Sequence, residues 1–121
     1  MERKYYFYIA LFLTIAITIA SLISGAHIVT PRVQFFDKFV HFSAYSVLTL
    51  SWLLAFNYKG WLPKFNISVG LSIFIYGIII EVLQEVLTNS RQADILDLLA
   101  NLVGVLTAYV IFNTIITKKI R

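Results

Sequence analysis

The chain has 121 residues, 60% of them hydrophobic and 13% charged, against about 25% charged in soluble proteins. A soluble domain of this length still leaves about a third of its surface wet and has nowhere to hide that much apolar area. The composition therefore excludes an ordinary soluble fold, and the lack of cysteine excludes a disulfide framework, a thiolate nucleophile and a Cys-ligated metal site.

By length the chain is one domain, residues 1–121. Residues 5–24 contain no charge and are long enough to cross a hydrocarbon core of about 30 Å. Arg3 and Lys4 before this run, with Ser24, Gly25 and Ala26 after it, would also suit a signal peptide. The run outlasts the usual apolar core of about 7–15 residues, so a retained first membrane helix is expected. Residues 25–36 form a link in which Pro31 and Arg32 break any helical pattern.

A second span is expected over residues 37–56. Asp37 and Lys38 open it, and an aspartate suits the positive end of a helix dipole. Asp37, His41 and Tyr45 recur at i, i+4 and i+8 and so share a face, with Lys38 on its shoulder. The link at residues 57–65 carries Tyr58 and Trp61 as interfacial anchors. The third span covers residues 66–87, with Glu81, Gln84 and Glu85 in its last turns. A turn at 88–93 holds Asn89, Ser90 and Arg91, and the fourth span covers 94–117. In that last helix Asp94, Asp97, Asn101 and Gly104 fall on one face. Gly104 and Ala108 make a small-xxx-small pair that permits close helix contact.

Four spans put both termini on one side. The ends on that side carry Arg3, Lys4, Lys59, Lys64, Lys118, Lys119 and Arg121, and the opposite ends carry Arg32, Lys38 and Arg91. By the positive-inside rule both termini are cytoplasmic. The net charge of +4, which in a soluble protein would suggest nucleic acid, follows from this topology, and no nucleic-acid partner is expected. Asp37, Glu81, Glu85, Asp94 and Asp97 then all lie at the outer end of the membrane. The expected architecture is all-α: a four-helix transmembrane bundle, N-in and C-in, in the cell membrane.

Charged groups at the edge of a membrane are costly and ask for a reason. The candidate pocket consists of Asp37, Lys38, His41, Tyr45, Glu81, Gln84, Arg91, Asp94, Asp97 and Asn101. Asp94 is explained as a helix cap. Asp97 and Asn101 lie progressively deeper, where a cap has no need of them. A buried Glu81 must pair with a cation, with Arg91 or Lys38 as partners, or stay protonated. Glu85 is nearer the boundary and reads as solvated. His41, one turn from Asp37, has a carboxylate to hold its tautomer, whereas His27 lies in a link without such company. As packing residues, the same groups would serve as interhelical hydrogen-bond glue.

The motif Asp37-Lys38-x-x-His41-Phe42-x-x-Tyr45 resembles the opening signature of the VanZ-like family. Glu81-x-x-Gln84 and Arg91-x-x-Asp94-x-x-Asp97-x-x-x-Asn101-x-x-Gly104 resemble its later ones, so the likeness spans roughly residues 34–108. Ser90 and Ala108 stand where family members often have glycine. The resemblance implies a small polytopic membrane protein of the cell envelope. The family's founding member is associated with resistance to the glycopeptide teicoplanin.

Three functions fit this set of residues. The first is a membrane binding module whose outer-leaflet pocket takes an envelope lipid or cell-wall precursor, or alters how a lipophilic glycopeptide reaches it. The second is an enzyme acting on a lipid-linked substrate, with His41 and Asp37 as base, Glu81 as acid and Arg91 as anion clamp. Asp37, His41, Glu81 and Asp97 are also residue types that accept a divalent metal, but no metal-ligand spacing or phosphate loop appears, so no metal or cofactor is assigned. The third is a small multidrug transporter, which would place a carboxylate near the bilayer midplane, commonly in the first helix. This first helix has no acid after Glu2.

Overall fold

A computed structural model of the chain describes residues 3–25, 34–57, 63–87 and 95–116, with side chains from Lys4 to Ile23, Lys38 to Asn57, Lys64 to Leu87 and Ile95 to Ile116. It contains α1 (Arg3–Gly25), α2 (Gln34–Asn57), α3 (Asn66–Leu87) and α4 (Ile95–Ile111). A single 3₁₀ turn, Pro63–Phe65, leads into α3, and α4 widens into a π-turn over Phe112–Ile116. No strand occurs among the described residues. All four helices are long and apolar enough to cross a membrane, since about 20 residues at 1.5 Å each span the hydrocarbon core. The chain is a multi-pass, all-helical membrane protein.

The expected span at 66–87 matches α3 residue for residue, and α1 extends the expected 5–24 by two residues at its start and one at its end. The start of α2 differs more. It begins at Gln34, three residues before Asp37, so residues 34–36 belong to the helix and not to the link. Three residues put Asp37 nearly one turn inside, still at the end where the dipole favours an anion. The fourth helix is described from Ile95 to Ile116, so Asp94 and Thr117 at its expected edges, like Tyr58, Trp61 and Arg91, lie outside the described residues.

Contacts between named side chains fix the topology. Gln84 near the end of α3 bonds Ser21 near the end of α1, so those helices run parallel. Lys38 at the start of α2 reaches Asp97 at the start of α4, so these two are parallel as well. Phe7 early in α1 packs edge-on against Phe56 late in α2, which makes that pair antiparallel. Asn66 at the head of α3 meets Asn113 beyond α4 in the same sense. The helices thus alternate up and down, in the ring order α1, α2, α4, α3, with the most extensive contact between α2 and α4 and a further contact across the α2–α3 diagonal.

The distribution of side chains inverts that of a soluble protein. On α1, Tyr8, Phe12, Ile15, Ile19 and Ile23 repeat every three or four residues and are exposed, as are Ile67, Leu71, Ile75, Ile78, Val82 and Val86 on α3. Lipid gives no hydrophobic reason to hide them, so helix association falls to close packing and hydrogen bonds. The interior accordingly takes small and polar residues: Gly70, Gly77, Gly104 and Ala108, with Thr49, Asn57, Glu81, Gln84, Asp97 and Asn101. Around them sits an apolar core of Tyr45, Leu48, Leu53, Val69, Ile73, Val105 and Phe112.

Two polar networks hold α1 and the helix ends in place. Thr14 Oγ1 accepts from Trp52 Nε1 at 2.9 Å, and Thr18 Oγ1 shares a 2.5 Å hydrogen bond with the Tyr76 hydroxyl, tying α1 to α2 and α3. At the end opposite Lys38, Asn57 Nδ2 donates to Asn66 Oδ1 at 2.6 Å and Asn66 Nδ2 donates to Asn113 Oδ1 at 3.4 Å, joining α2, α3 and α4.

Gly104 sets how closely α2 and α4 approach. A Cβ built there would stand 2.5 Å from the carbonyl oxygen of Phe42, a backbone atom, and 3.2 Å from Ser46 Oγ. Ser46 uses that proximity to donate to the Gly104 carbonyl at 3.0 Å. At Gly70 the same test meets only Val105 Cγ1, at 3.5 Å. Gly104→Ala is therefore expected to force the helices apart and cost roughly 1–3 kcal/mol, the range for overpacking, while Gly70→Ala is neutral within about 0.5 kcal/mol. Unfolding titrations in detergent check both, and equal effects would contradict the tight seam at Gly104.

Candidate functional site

The seam that Gly104 permits brings one face of α2 against one face of α4. Lys38, His41 and Tyr45 lie on the first, and Asp97 and Asn101 on the second, because residues three and four apart stack on a helix surface. Lys38 Nζ donates to Asp97 Oδ1 at 2.5 Å, with Asp97 fully buried and the lysine side chain 24% exposed. One turn deeper, His41 Nδ1 bonds Asn101 Oδ1 at 3.1 Å. An amide oxygen only accepts, so this bond requires the hydrogen on Nδ1. The other ring nitrogen, Nε2, then faces Asp97 Oδ2 at 3.6 Å, within ion-pair reach but too long for a hydrogen bond.

Below this pair the cluster continues into the bundle. Asn101 is buried, and its amide nitrogen lies against Gly77 of α3, where an added Cβ would stand 3.0 Å from it and 3.0 Å from the Tyr45 ring. Gly77 is thus the notch in α3 that admits both side chains. Tyr45 is buried and tilts against the Tyr76 ring at 6.0 Å between centroids. Glu81, one turn along α3 from Gly77 and 1% exposed, lies within electrostatic reach of Tyr45. Gln84 is buried a turn further on and donates to the Ser21 carbonyl of α1 at 2.9 Å. All four helices contribute to one polar end.

Seven of the residues named from the sequence lie together at one end of the bundle. Lys38, His41, Asp97 and Asn101 make direct contacts, and Tyr45, Glu81 and Gln84 extend them inward. Glu85 is exposed, as its position near the boundary implied. Among the described residues His41 meets Asn101 and Asp97 on α4, while its expected neighbour Asp37 has no described side chain. Lys38, named from the sequence with Arg91 as a candidate partner for Glu81, makes an ion pair with Asp97 among the described residues. The side chain of Asp37, and Arg91 and Asp94 altogether, lie outside the described residues. Gly77 was not singled out from sequence, although its place four residues before Glu81 on the polar face was the signal. Among the described residues no three histidine or acidic groups converge to hold a metal ion.

Chemically, the arrangement offers a compensated ion pair at the mouth, an imidazole with a fixed tautomer behind it, and amide and carboxyl groups deeper still. Such a set can bind a polar headgroup whose hydrocarbon tail stays in lipid. A cluster of this kind, inside a bundle of four membrane-crossing helices, defines a polytopic membrane protein with a polar site at one end. The chain belongs to the VanZ/LLP1 family, whose sequence pattern matches residues 3–117. No curated protein and no solved structure matches it.

The Lys38–Asp97 pair is testable as a coupled unit. Removing either partner takes from the other the charge that compensates it, so Lys38→Met and Asp97→Asn should together cost less than the sum of their separate effects. A coupling of roughly 1–3 kcal/mol is expected, toward the low end because Lys38 is partly exposed. A double-mutant cycle by unfolding in detergent measures it, and strict additivity would show that the pair is not coupled.

Proposed function

We propose that this VanZ-family chain, as a single domain over residues 1–121, binds an envelope lipid or cell-wall precursor through the polar end of its bundle. The observation that carries this reading is the buried set Asp97, Asn101, Glu81 and Gln84, with the partly exposed Lys38 and His41 in contact with it. Burying so many polar groups in a membrane bundle costs stability that simple packing would not require. The cation distribution supports an orientation with both termini in the cytoplasm of a cell-membrane protein. The polar end then opens to the outer leaflet, where lipid-linked wall precursors and glycopeptides such as teicoplanin are met. Asp37, Arg91 and Asp94 belong to the same end by sequence, and Arg91 supplies a cation for an anionic headgroup.

His41 also supports a second reading, an enzyme on a lipid-linked substrate. Its Nδ1 is held by Asn101, which leaves Nε2 facing Asp97, an orientation that suits a general base. Turnover separates the two: purified protein with labelled lipid-linked precursors yields product only if it is an enzyme.

For the binding reading, cells expressing the wild type should differ from control cells in teicoplanin susceptibility and in labelled-drug binding. His41→Ala and Asp97→Ala, at matched protein level in the membrane, should remove that difference. Variants that keep the full effect would overturn the assignment of function to this cluster.

A further inference from the structure

The opposite end of the bundle carries a second feature. A groove of about 390 Å³ runs between α2 and α3, with Trp52, Phe56, Phe65 and Ile73 among its walls. Two serines, Ser68 and Ser72, also line it, one helical turn apart and exposed. Hydroxyls facing hydrocarbon normally turn back to bond the carbonyl one turn earlier, as Thr14, Thr18, Ser51 and Thr114 do. Among the described residues neither Ser68 nor Ser72 has a hydrogen-bond partner. Next to the groove in sequence, Lys64 holds its ammonium 5.4 Å from the centroid of the Phe65 ring, itself part of the wall. The first turn of α3 contains no acid, so the positive end of its dipole adds to the lysine charge.

We propose that this groove holds an acyl chain of an anionic phospholipid from the leaflet at its own end, with Lys64 on the lipid phosphate. Ser68, one turn further into the membrane than Lys64, is placed to donate to an ester carbonyl. The small Ser72 leaves width for the chain between Trp52 and α3. Charge decides the occupant. The chain ends on this side carry Arg3, Lys4, Lys59, Lys64, Lys118, Lys119 and Arg121 against Glu2 alone. A second copy docking side by side in the same orientation would bring like charges together, whereas an anionic lipid brings the opposite sign. The site is separate from the polar cluster of Lys38 and Asp97, and its fate does not depend on that reading.

The test uses the two tryptophans of the chain. In a Trp61→Phe background only Trp52, a wall of the groove held by its bond to Thr14, fluoresces as tryptophan. The protein is reconstituted in vesicles with a small fraction of phosphatidylglycerol or phosphatidylcholine carrying brominated acyl chains, which quench on contact. Brominated phosphatidylglycerol is expected to quench Trp52 as if enriched about fivefold at the groove, the preference one lysine near a membrane surface confers. Lys64→Gln should abolish that preference and Lys64→Arg restore it. Ser72→Phe, by filling the groove, should reduce quenching by both lipids. Lys4→Gln, a cation at the same end but outside the groove wall, should leave the preference intact. Equal quenching by the two lipids in the parent protein, or a loss in Lys4→Gln as large as in Lys64→Gln, would overturn the proposal. An unchanged Trp52 emission maximum in each variant shows that the fold is retained.

Discussion

Lys38 and Asp97 meet on the seam that holds α2 and α4 in register. Apolar surface drives association weakly where the solvent is itself hydrocarbon, so register must come from shape and from polar contacts that lipid does not replace. Shape is supplied at Gly104, where α4 comes close enough to the Phe42 carbonyl to leave no room for a side-chain carbon. Polarity is supplied on the same faces by Lys38 with Asp97, His41 with Asn101, and Ser46 with the Gly104 carbonyl. The residues that make the seam are also the residues that make the site. The proposed function and the fold therefore draw on one set of contacts, and substitutions here must be read against protein level.

Much of this was legible in the sequence. Four apolar runs of membrane length gave the helices, and helical phase put Asp94, Asp97, Asn101 and Gly104 on one face of the last, of which the three described residues, Asp97, Asn101 and Gly104, are buried. By the same phase Glu81, Gln84 and Glu85 share one stripe at the end of α3, and the structure buries the first two and leaves Glu85 exposed. Pairing was not legible. Helical phase tells which residues share a face but not which face of another helix they meet, so the contacts of His41 with Asn101 and Asp97 on α4 could not be read from it. Pairing across helices depends on ring order, and short links permit more than one order.

The networks away from the site were missed for a related reason. Thr14, Thr18 and Ser21 form a polar stripe on α1 that is visible in its spacing, yet single hydroxyls in an apolar helix carry little signal, because each can bond its own backbone. Only the positions of Trp52 and Tyr76 on neighbouring helices show that Thr14 and Thr18 join α1 to α2 and α3. Asn57, Asn66 and Asn113 lie at the ends of three spans, where an asparagine reads as an ordinary boundary residue. Their convergence is a product of the antiparallel packing.

The two ends of the bundle are thus chemically unlike: acids, imidazole and amides at one, amides beneath a fringe of cations at the other. The central claim is that the acidic end faces outward, where an envelope lipid can reach it. The chain has no cysteine, so single cysteines can report sidedness without background. Glu85 and Lys64 are both exposed and stand at opposite ends. Intact cells expressing Glu85→Cys or Lys64→Cys would be treated with a membrane-impermeant maleimide. We expect Glu85→Cys to be labelled from outside and Lys64→Cys only after permeabilisation. The reverse pattern would place the polar cluster on the cytoplasmic side and contradict its role in receiving an outer-leaflet ligand.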